Sequence, residues 1–417
     1  MHIFVLENRL YMMQPGLIEN ILKLDRIAKT DGNKYPRKRY VYPHLEYLLT
    51  KARQITGIVG LRGTGKTILL RQLRAAHPNS LYLSADTLPA GNDLFELATF
   101  LAETYQIKYL FIDEIHALPG WEGQLKKIYD FSEMQIIFTS SSALEITASK
   151  FDLSRRLTLQ HLPLFSFREY LAFTNKGEVP PIALDDLLEK PNELYQSIYP
   201  FEADFKDFSF LGALPACLVS PLPSVVSAIV EKVIQRDMLT AGKLSHEDLL
   251  QIRSVLLFLA RSGIDGCSYS SISRNTGITK YKAQQYVALM QSASLVSIIL
   301  PYGANVMPEP KILLVPTLRA NLSYGVDENR LIGATREEFF IHHVTGASLT
   351  VNYLKSLRGE KLPDYILFHN KRKLVFEIGG SGKGASQFKG TSIREKFILS
   401  QPGSTQGIPL ILFGFLW

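Results

Sequence analysis

The stretch GLRGTGKT, residues 60–67, constrains this chain more than any other. Gly60 is followed by four residues and then by Gly65, Lys66 and Thr67, between the apolar run QITGIVG and the helical pattern ILLRQLRAA. A strand that ends in glycines and passes directly into a helix aims its free backbone N–H groups at one spot, which is how a phosphate-binding loop (P-loop) is built. Gly60, Gly63 and Gly65 permit the backbone angles and the close approach that such a loop needs. The spacing predicts that Gly60, Leu61, Arg62, Gly63, Thr64, Gly65, Lys66 and Thr67 wrap the phosphates of ATP. Lys66 is expected to reach the terminal phosphates and the Thr67 hydroxyl to bind Mg²⁺. The runs SLYLS, IKYLFID, MQIIFTS and RRLTLQHL then alternate with helical patterns as far as residue 162. Such alternation implies a parallel sheet covered by helices.

The run YLFIDEI, residues 109–115, ends in two carboxylates. Asp113 is predicted to hold the Mg²⁺ shell beside Thr67, and Glu114 to polarise the water that attacks the γ-phosphoryl group. An acid directly after the metal-binding aspartate points to the division of P-loop proteins in which a further strand separates the loop strand from the aspartate strand. That further strand, MQIIFTSSS, ends in Thr139, Ser140 and Ser141, and Ser140 is the predicted nucleotide-sensing side chain. Arg155 and Arg156 in LSRRLTLQHL are the candidate arginine finger, acting on the chain's own nucleotide or on that of a neighbouring subunit. Arg168 is the outside choice.

Taken together, GLRGTGKT, FIDEIHALPGWEGQLKKIYD, the serine-rich strand end and SRRLTLQHLPLFSFREYL resemble the AAA-type ATPases of the bacterial and archaeal "archaeal ATPase" group, which carry a C-terminal domain of unknown function. The resemblance runs across most of the chain. It implies an ATP-binding core, a winged-helix-like module and a C-terminal domain similar to restriction endonucleases. The expected fold is therefore α/β: a P-loop NTPase parallel sheet with a helical lid, a winged-helix module and an α/β endonuclease-like C-terminal domain. The expected divisions are a helical extension over 1–35, the P-loop core over 36–165, the lid over 166–244, the winged-helix-like module over 245–320 and the endonuclease-like domain over 330–417.

Composition bears on partners. The net charge is +7, and residues 330–417 hold 12 Lys or Arg against 6 Asp or Glu, so this segment alone supplies +6. A basic segment suggests an anionic partner, nucleic acid first. YSSISRNTGITKYKAQQYVALMQSASLV, residues 269–296, fits a helix-turn-helix. Ser273 is the small residue at the helix crossing, Gly277 makes the turn, and Ala283 and Val287 face the core. Lys280, Tyr281, Lys282 and Gln285 are then placed to meet DNA. Farther on, Asp364 and Glu377 flank a hairpin like that of metal-dependent nucleases. The lysine such sites carry two residues after the second acid is missing, because Gly379 stands there; Lys383 lies beyond, and Glu337 or Glu338 is a candidate third ligand. A fold kept for binding is favoured over an active nuclease. The final run PLILFGFLW reads as a buried strand. Two well-separated cysteines, Cys217 and Cys267, and no long apolar run argue for a cytoplasmic protein away from membranes. The expected function is ATP hydrolysis coupled to nucleic-acid or partner binding, with a homo-oligomer one possibility and the oligomeric state left open by the sequence. The rivals are a slow nucleotide-gated switch and an ATP-governed, metal-dependent nuclease.

Overall fold

The computed structural model describes residues 15–51, 53–89, 91–141, 153, 155–221, 223–242, 244–303, 309–323, 325–326, 328–354, 362–379, 388–400 and 407–417. The chain divides into two compact units, Met1–Leu162 and Pro163–Trp417. Among the described residues, no helix is long and apolar enough to cross a membrane.

The first unit is built on strands β1 (Ile55–Val59), β2 (Ser80–Ser84), β3 (Tyr109–Asp113), β4 (Gln135–Ser140) and β5 (Leu157–His161). All pair in parallel, in the order β2-β3-β4-β1-β5, so β4 does stand between the loop strand and the aspartate strand. Both faces of the sheet are buried, which is why its strands read as continuous apolar runs. Ile58, Tyr82, Phe111 and Ile137 turn to one face, against helices α2 (Tyr42–Lys51) and α3 (Lys66–Ala76). Leu81, Leu110, Ile112 and Phe138 turn to the other, against α4 (Leu94–Tyr105) and α5 (Trp121–Phe131).

Helix α1 (Pro15–Lys34) is the described part of the expected extension, and it is docked on this core. Its Asp25 accepts from Arg74 Nε at 2.5 Å and Nη2 at 2.7 Å, and from the Tyr82 backbone N–H at 2.8 Å. Where α1 crosses α3, a Cβ on Gly32 would stand 2.1 Å from the Arg71 carbonyl oxygen, so only glycine allows the approach.

The second unit opens with α6 (Phe167–Phe173) and further short helices up to residue 242. This is the segment expected to form a lid. In it, Phe167 and Phe208 share an aromatic core with Phe339 and Phe415, and the Phe167 backbone N–H donates to His343 Nε2 at 3.0 Å. The segment thus belongs to the body of the C-terminal unit. Next come α7 (His246–Arg261), α8 (Tyr269–Thr276), α9 (Lys280–Ser292) and an antiparallel pair, β6 (Val296–Ile299) and β7 (Lys311–Leu314). Gly277 ends α8 at φ 74°, and Ala283 and Val287 are fully buried.

Helix α10 (Glu328–Gly346) precedes a second sheet of β8 (Thr350–Tyr353), β9 (Tyr365–His369), β10 (Arg372–Ile378), β11 (Glu395–Ser400) and β12 (Ile408–Pro409), laid out in the order β12-β11-β10-β9-β8. The β9–β10 turn is Asn370-Lys371, both at positive φ, as a tight hairpin of matching twist requires. The final apolar run corrects the strand expectation: after two residues of β12, Leu410–Phe415 winds into a buried 3₁₀ turn. A continuous apolar run reports burial and leaves the conformation open.

Candidate active site

The glycine loop lies between Val59, the last residue of β1, and Lys66, the first of α3. Gly63 and Gly65 have φ of 83° and 93°, a region that L side chains avoid. A Cβ on Gly60 would lie 2.4 Å from the Leu162 carbonyl oxygen, because the chain leaving β5 crosses directly over it. Around the place where a Gly65 Cβ would stand there is nothing within 4 Å. The loop is tied from inside as well. The Thr64 hydroxyl donates to the Leu61 carbonyl at 2.8 Å, and the buried Arg39 donates from Nη1 to the Thr64 carbonyl at 2.8 Å. Lys66 is buried, its ammonium donating to the carbonyls of Gly60 at 2.7 Å and Leu61 at 3.1 Å. Arg39 had no sequence signal, since it lies 25 residues upstream of its partner.

Asp113 is buried at the end of β3. The Tyr82 hydroxyl, from β2, donates to its Oδ2 at 2.8 Å, and the Thr139 hydroxyl, from β4, donates to its Oδ1. Burial, reinforced by the Asp113 charge, pushes the Tyr82 phenol well above its ordinary pKa, so it remains a donor. Glu114 takes the left-handed conformation, φ 52°, and its backbone N–H donates to Thr139 Oγ1 at 3.0 Å. Thr139 therefore holds both acids. Ser140, the expected sensor, stands in register with Val59 at the loop end of β1, and its hydroxyl pairs with His116 Nδ1 at 3.2 Å. The same Nδ1 is 3.3 Å from Glu114 Oε2, a buried oxygen that accepts no hydrogen bond, so this contact is one of proximity.

Arg156 lies at the other end of the sheet from the glycine loop. Arg156 precedes β5 and passes its carbonyl to the Ile55 N–H at 2.7 Å, at the amino end of the sheet. Its guanidinium clasps Asp130 of α5 at 2.8 and 3.1 Å. The loop follows the carboxyl end of β1, about 16 Å away at ~3.3 Å per residue. Arg155 and Arg156 are thus at the wrong end to reach a nucleotide held by their own chain. Arg168, in the second unit, donates from Nε to the Val179 carbonyl at 2.6 Å.

In the second unit, α9 begins at Lys280, and Tyr281 and Gln285 are exposed. Both lysines at its start are engaged by acids of the same unit. Lys280 pairs with Glu309, which also accepts from the Ser270 hydroxyl at 2.7 Å. Lys282 contacts Asp248 at 3.1 Å and Gln251 at 3.2 Å. Among the described residues, no group of three His, Cys, Asp or Glu side chains is placed to hold a metal ion. Asp364 accepts from the Ile378 backbone N–H at 2.7 Å, and Glu377 is buried. Glu338 is bound to Arg319 at 2.7 Å. Glu337 accepts from the Tyr365 hydroxyl at 2.6 Å and lies 3.5 Å from Lys311. Lys383 lies outside the described residues.

Residues 52–171 match the family model described as an AAA domain. This supports an AAA-type P-loop architecture for that segment. The chain is 29% identical over 330 residues to the uncharacterized protein MJ1637 of Methanocaldococcus jannaschii, covering 70% of this chain and 69% of that protein. It is 23% identical over 304 residues to MJ1544 of the same organism, covering 67% of this chain and 64% of that protein, less than two thirds of its length. Among solved structures, Aeropyrum pernix ORC1 in complex with DNA is similar at 15% identity and a TM-score of 0.27, covering 70% of this chain and 93% of that one. AMPPCP-bound DnaA from Aquifex aeolicus is similar at 16% identity and a TM-score of 0.25, covering 61% and 87%. Both likenesses are too loose to carry function across.

Proposed function

We propose that the chain binds ATP at residues 60–67 and hydrolyses it, and that nucleotide state is coupled to the binding of nucleic acid or another partner. One observation carries the reading: a glycine loop that opens a helix and the buried Asp113 with Glu114 directly after it stand at the same end of one parallel sheet, on strands separated only by β4. In this reading the loop N–H groups take the phosphates, and Lys66 exchanges its carbonyl contacts for phosphate oxygens. The Thr67 hydroxyl and the Asp113 carboxylate are hard oxygen donors of the kind Mg²⁺ takes. When bound, the ion neutralises charge that develops on the β- and γ-phosphates. Glu114 orients a water and takes its proton as the water oxygen attacks the γ-phosphorus. ADP departs with the electron pair of the broken P–O bond.

Glu114→Gln is expected to bind ATP as the native protein does and to turn over at least about 100-fold more slowly, the scale of a lost general base. Undiminished turnover would remove the mechanism.

For the partner, we read α7–α9 with β6 and β7 as a winged helix that meets DNA through Lys280, Lys282 and Gln285, aided by the basic C-terminal segment. Each lysine must exchange an acid of its own unit for a phosphate. A salt-dependent DNA titration, with and without ATP, tests this directly, because phosphate contacts make affinity fall steeply with salt. A flat salt response would exclude DNA as the partner. Both cysteines are buried and free, as a reducing compartment requires, and the reading places the protein in the cytoplasm.

A further inference from the structure

Between β3 and α5 the chain makes a short 3₁₀ turn, Ile115–Ala117. Glu114 caps it in the left-handed conformation, and the Ala117 N–H closes it on the Glu114 carbonyl at 2.9 Å. His116 is thereby brought to Ser140 at the end of β4, and the imidazole is largely shielded, its side chain 12% exposed. Its Nδ1 meets two oxygens from two different strand ends, Ser140 Oγ at 3.2 Å and Glu114 Oε2 at 3.3 Å. A ring nitrogen carries at most one proton, so Nδ1–H donates to one of the two at a time. The Ser140 hydroxyl can give or accept, whereas an ionised carboxylate only accepts. Glu114 Oε2 is buried and accepts no hydrogen bond, and Nδ1, in the tautomer that places the proton there, is a donor 3.3 Å from it. Without a restraint, the glutamate's side-chain torsions let the carboxylate sample many orientations.

We infer that His116 is a positioning residue: anchored by Ser140, its imidazole holds the Glu114 carboxylate in place at the end of β3. The inference rests on Glu114 acting as the base in ATP hydrolysis. It adds a link from Ser140, beside the loop strand, to the group that activates water.

Two measurements test it, one of them independent of turnover. In nucleotide-free protein with ¹⁵N-labelled histidine, the His116 Nδ1 resonance is expected to shift in both Glu114→Gln and Ser140→Ala, because each variant alters one of its two contacts. In steady-state kinetics, His116→Ala is expected to lower kcat about tenfold with KM for ATP unchanged, the signature of a misplaced catalytic group. His116→Asn, whose amide N–H₂ lies near the position of Nδ1, is expected to recover most of the loss. The double variant His116→Ala, Ser140→Ala should fall no further than the weaker of the two single variants, since both break one chain of contacts. Native kcat in His116→Ala, or independent losses that multiply in the double variant, would overturn the inference. An unmoved His116 resonance in both variants would overturn it whether or not ATP is hydrolysed. A native protein with no turnover but a responsive resonance would instead remove the hydrolytic reading and leave the contact standing.

Discussion

Two buried aspartates of the first unit show how partners decide a carboxylate's task. Asp25 is saturated by charge and backbone: a two-point clasp from Arg74 and the Tyr82 N–H. It is a structural group, and removing it leaves the guanidinium of Arg74 buried and unpaired. Asp25→Ala is expected to destabilise the first unit by about 3–5 kcal/mol, read in a urea unfolding curve, because a broken buried pair loses solvation as well as attraction. Asp113 accepts from two neutral hydroxyls, Tyr82 and Thr139, with no ion pair to a cation among the described residues. A cation suits such a site. Asp113→Asn keeps an acceptor for one of those hydroxyls and offers its amide N–H₂ to the oxygen of the other, so it should unfold within about 1 kcal/mol of the native protein, the range of one exchanged neutral hydrogen bond. Its Mg²⁺-dependent ATP turnover should be lost. Equal turnover in the two proteins would sever Asp113 from metal binding.

At the scale of elements, glycines mark where strands and helices approach most closely. Gly57 lies in the middle of β1, where a Cβ would come within 2.6 Å of Phe138 Cζ and 2.8 Å of Leu159 Cδ2. Those side chains come from β4 and β5, the two neighbours of β1. Gly57→Ala should therefore cost about 1–3 kcal/mol by overpacking, despite the better strand propensity of alanine, and a lowered Tm would register it. In QITGIVG this glycine looks like any other in a strand, because nothing in the local pattern says which large side chains will face it. The segment 166–244 teaches the same lesson for helices. Its amphipathic helices were legible, but the surface they bury against was not, and it turned out to be the aromatic core around Phe339 and Phe415.

For the protein as a whole, net charge understates how its charges are arranged. The lysines that begin α9 are matched by Glu309 and Asp248, so the basic character of the helix-turn-helix is internally compensated. Under the proposed DNA-binding reading, Glu309→Gln should raise affinity for DNA and steepen its salt dependence, since it frees Lys280 to contact phosphate; an unchanged titration would show that α9 faces something other than DNA. The second unit also carries a pH-sensitive element. Burial pushes the Glu337 carboxyl up to about 7 from its ordinary 4.5, with Lys311 opposing and Asp364 adding to the rise. An acid whose pKa is raised by folding binds its proton more tightly in the folded state. Its contribution is fully present below about pH 4.5 and is lost as pH rises through about 7. Over that window stability should decline by up to about 1.4 kcal/mol per pH unit. Glu337→Gln should flatten the decline while keeping an acceptor for Tyr365. A native-like pH profile in that variant would assign the dependence elsewhere.

The sequence by itself determined what depends on a few consecutive residues. These were the loop at 60–67 between strand and helix, the acids ending the third strand, the α8–α9 turn at Gly277 and the Asn370-Lys371 hairpin. Each follows from local backbone geometry or short-range periodicity, which travel with the residues themselves. Only the tertiary structure decided which distant groups complete those local features. Strand order brought Tyr82 and Thr139, respectively 31 and 26 residues away, onto Asp113. Parallel pairing put Arg156 beside the start of β1 and the loop at its finish, so the five residues of one strand separate an expected finger from its target. Helix docking gave Lys280 and Lys282 their acidic partners. Such contacts are fixed by register and packing across the whole core, and no window of sequence contains both sides of them.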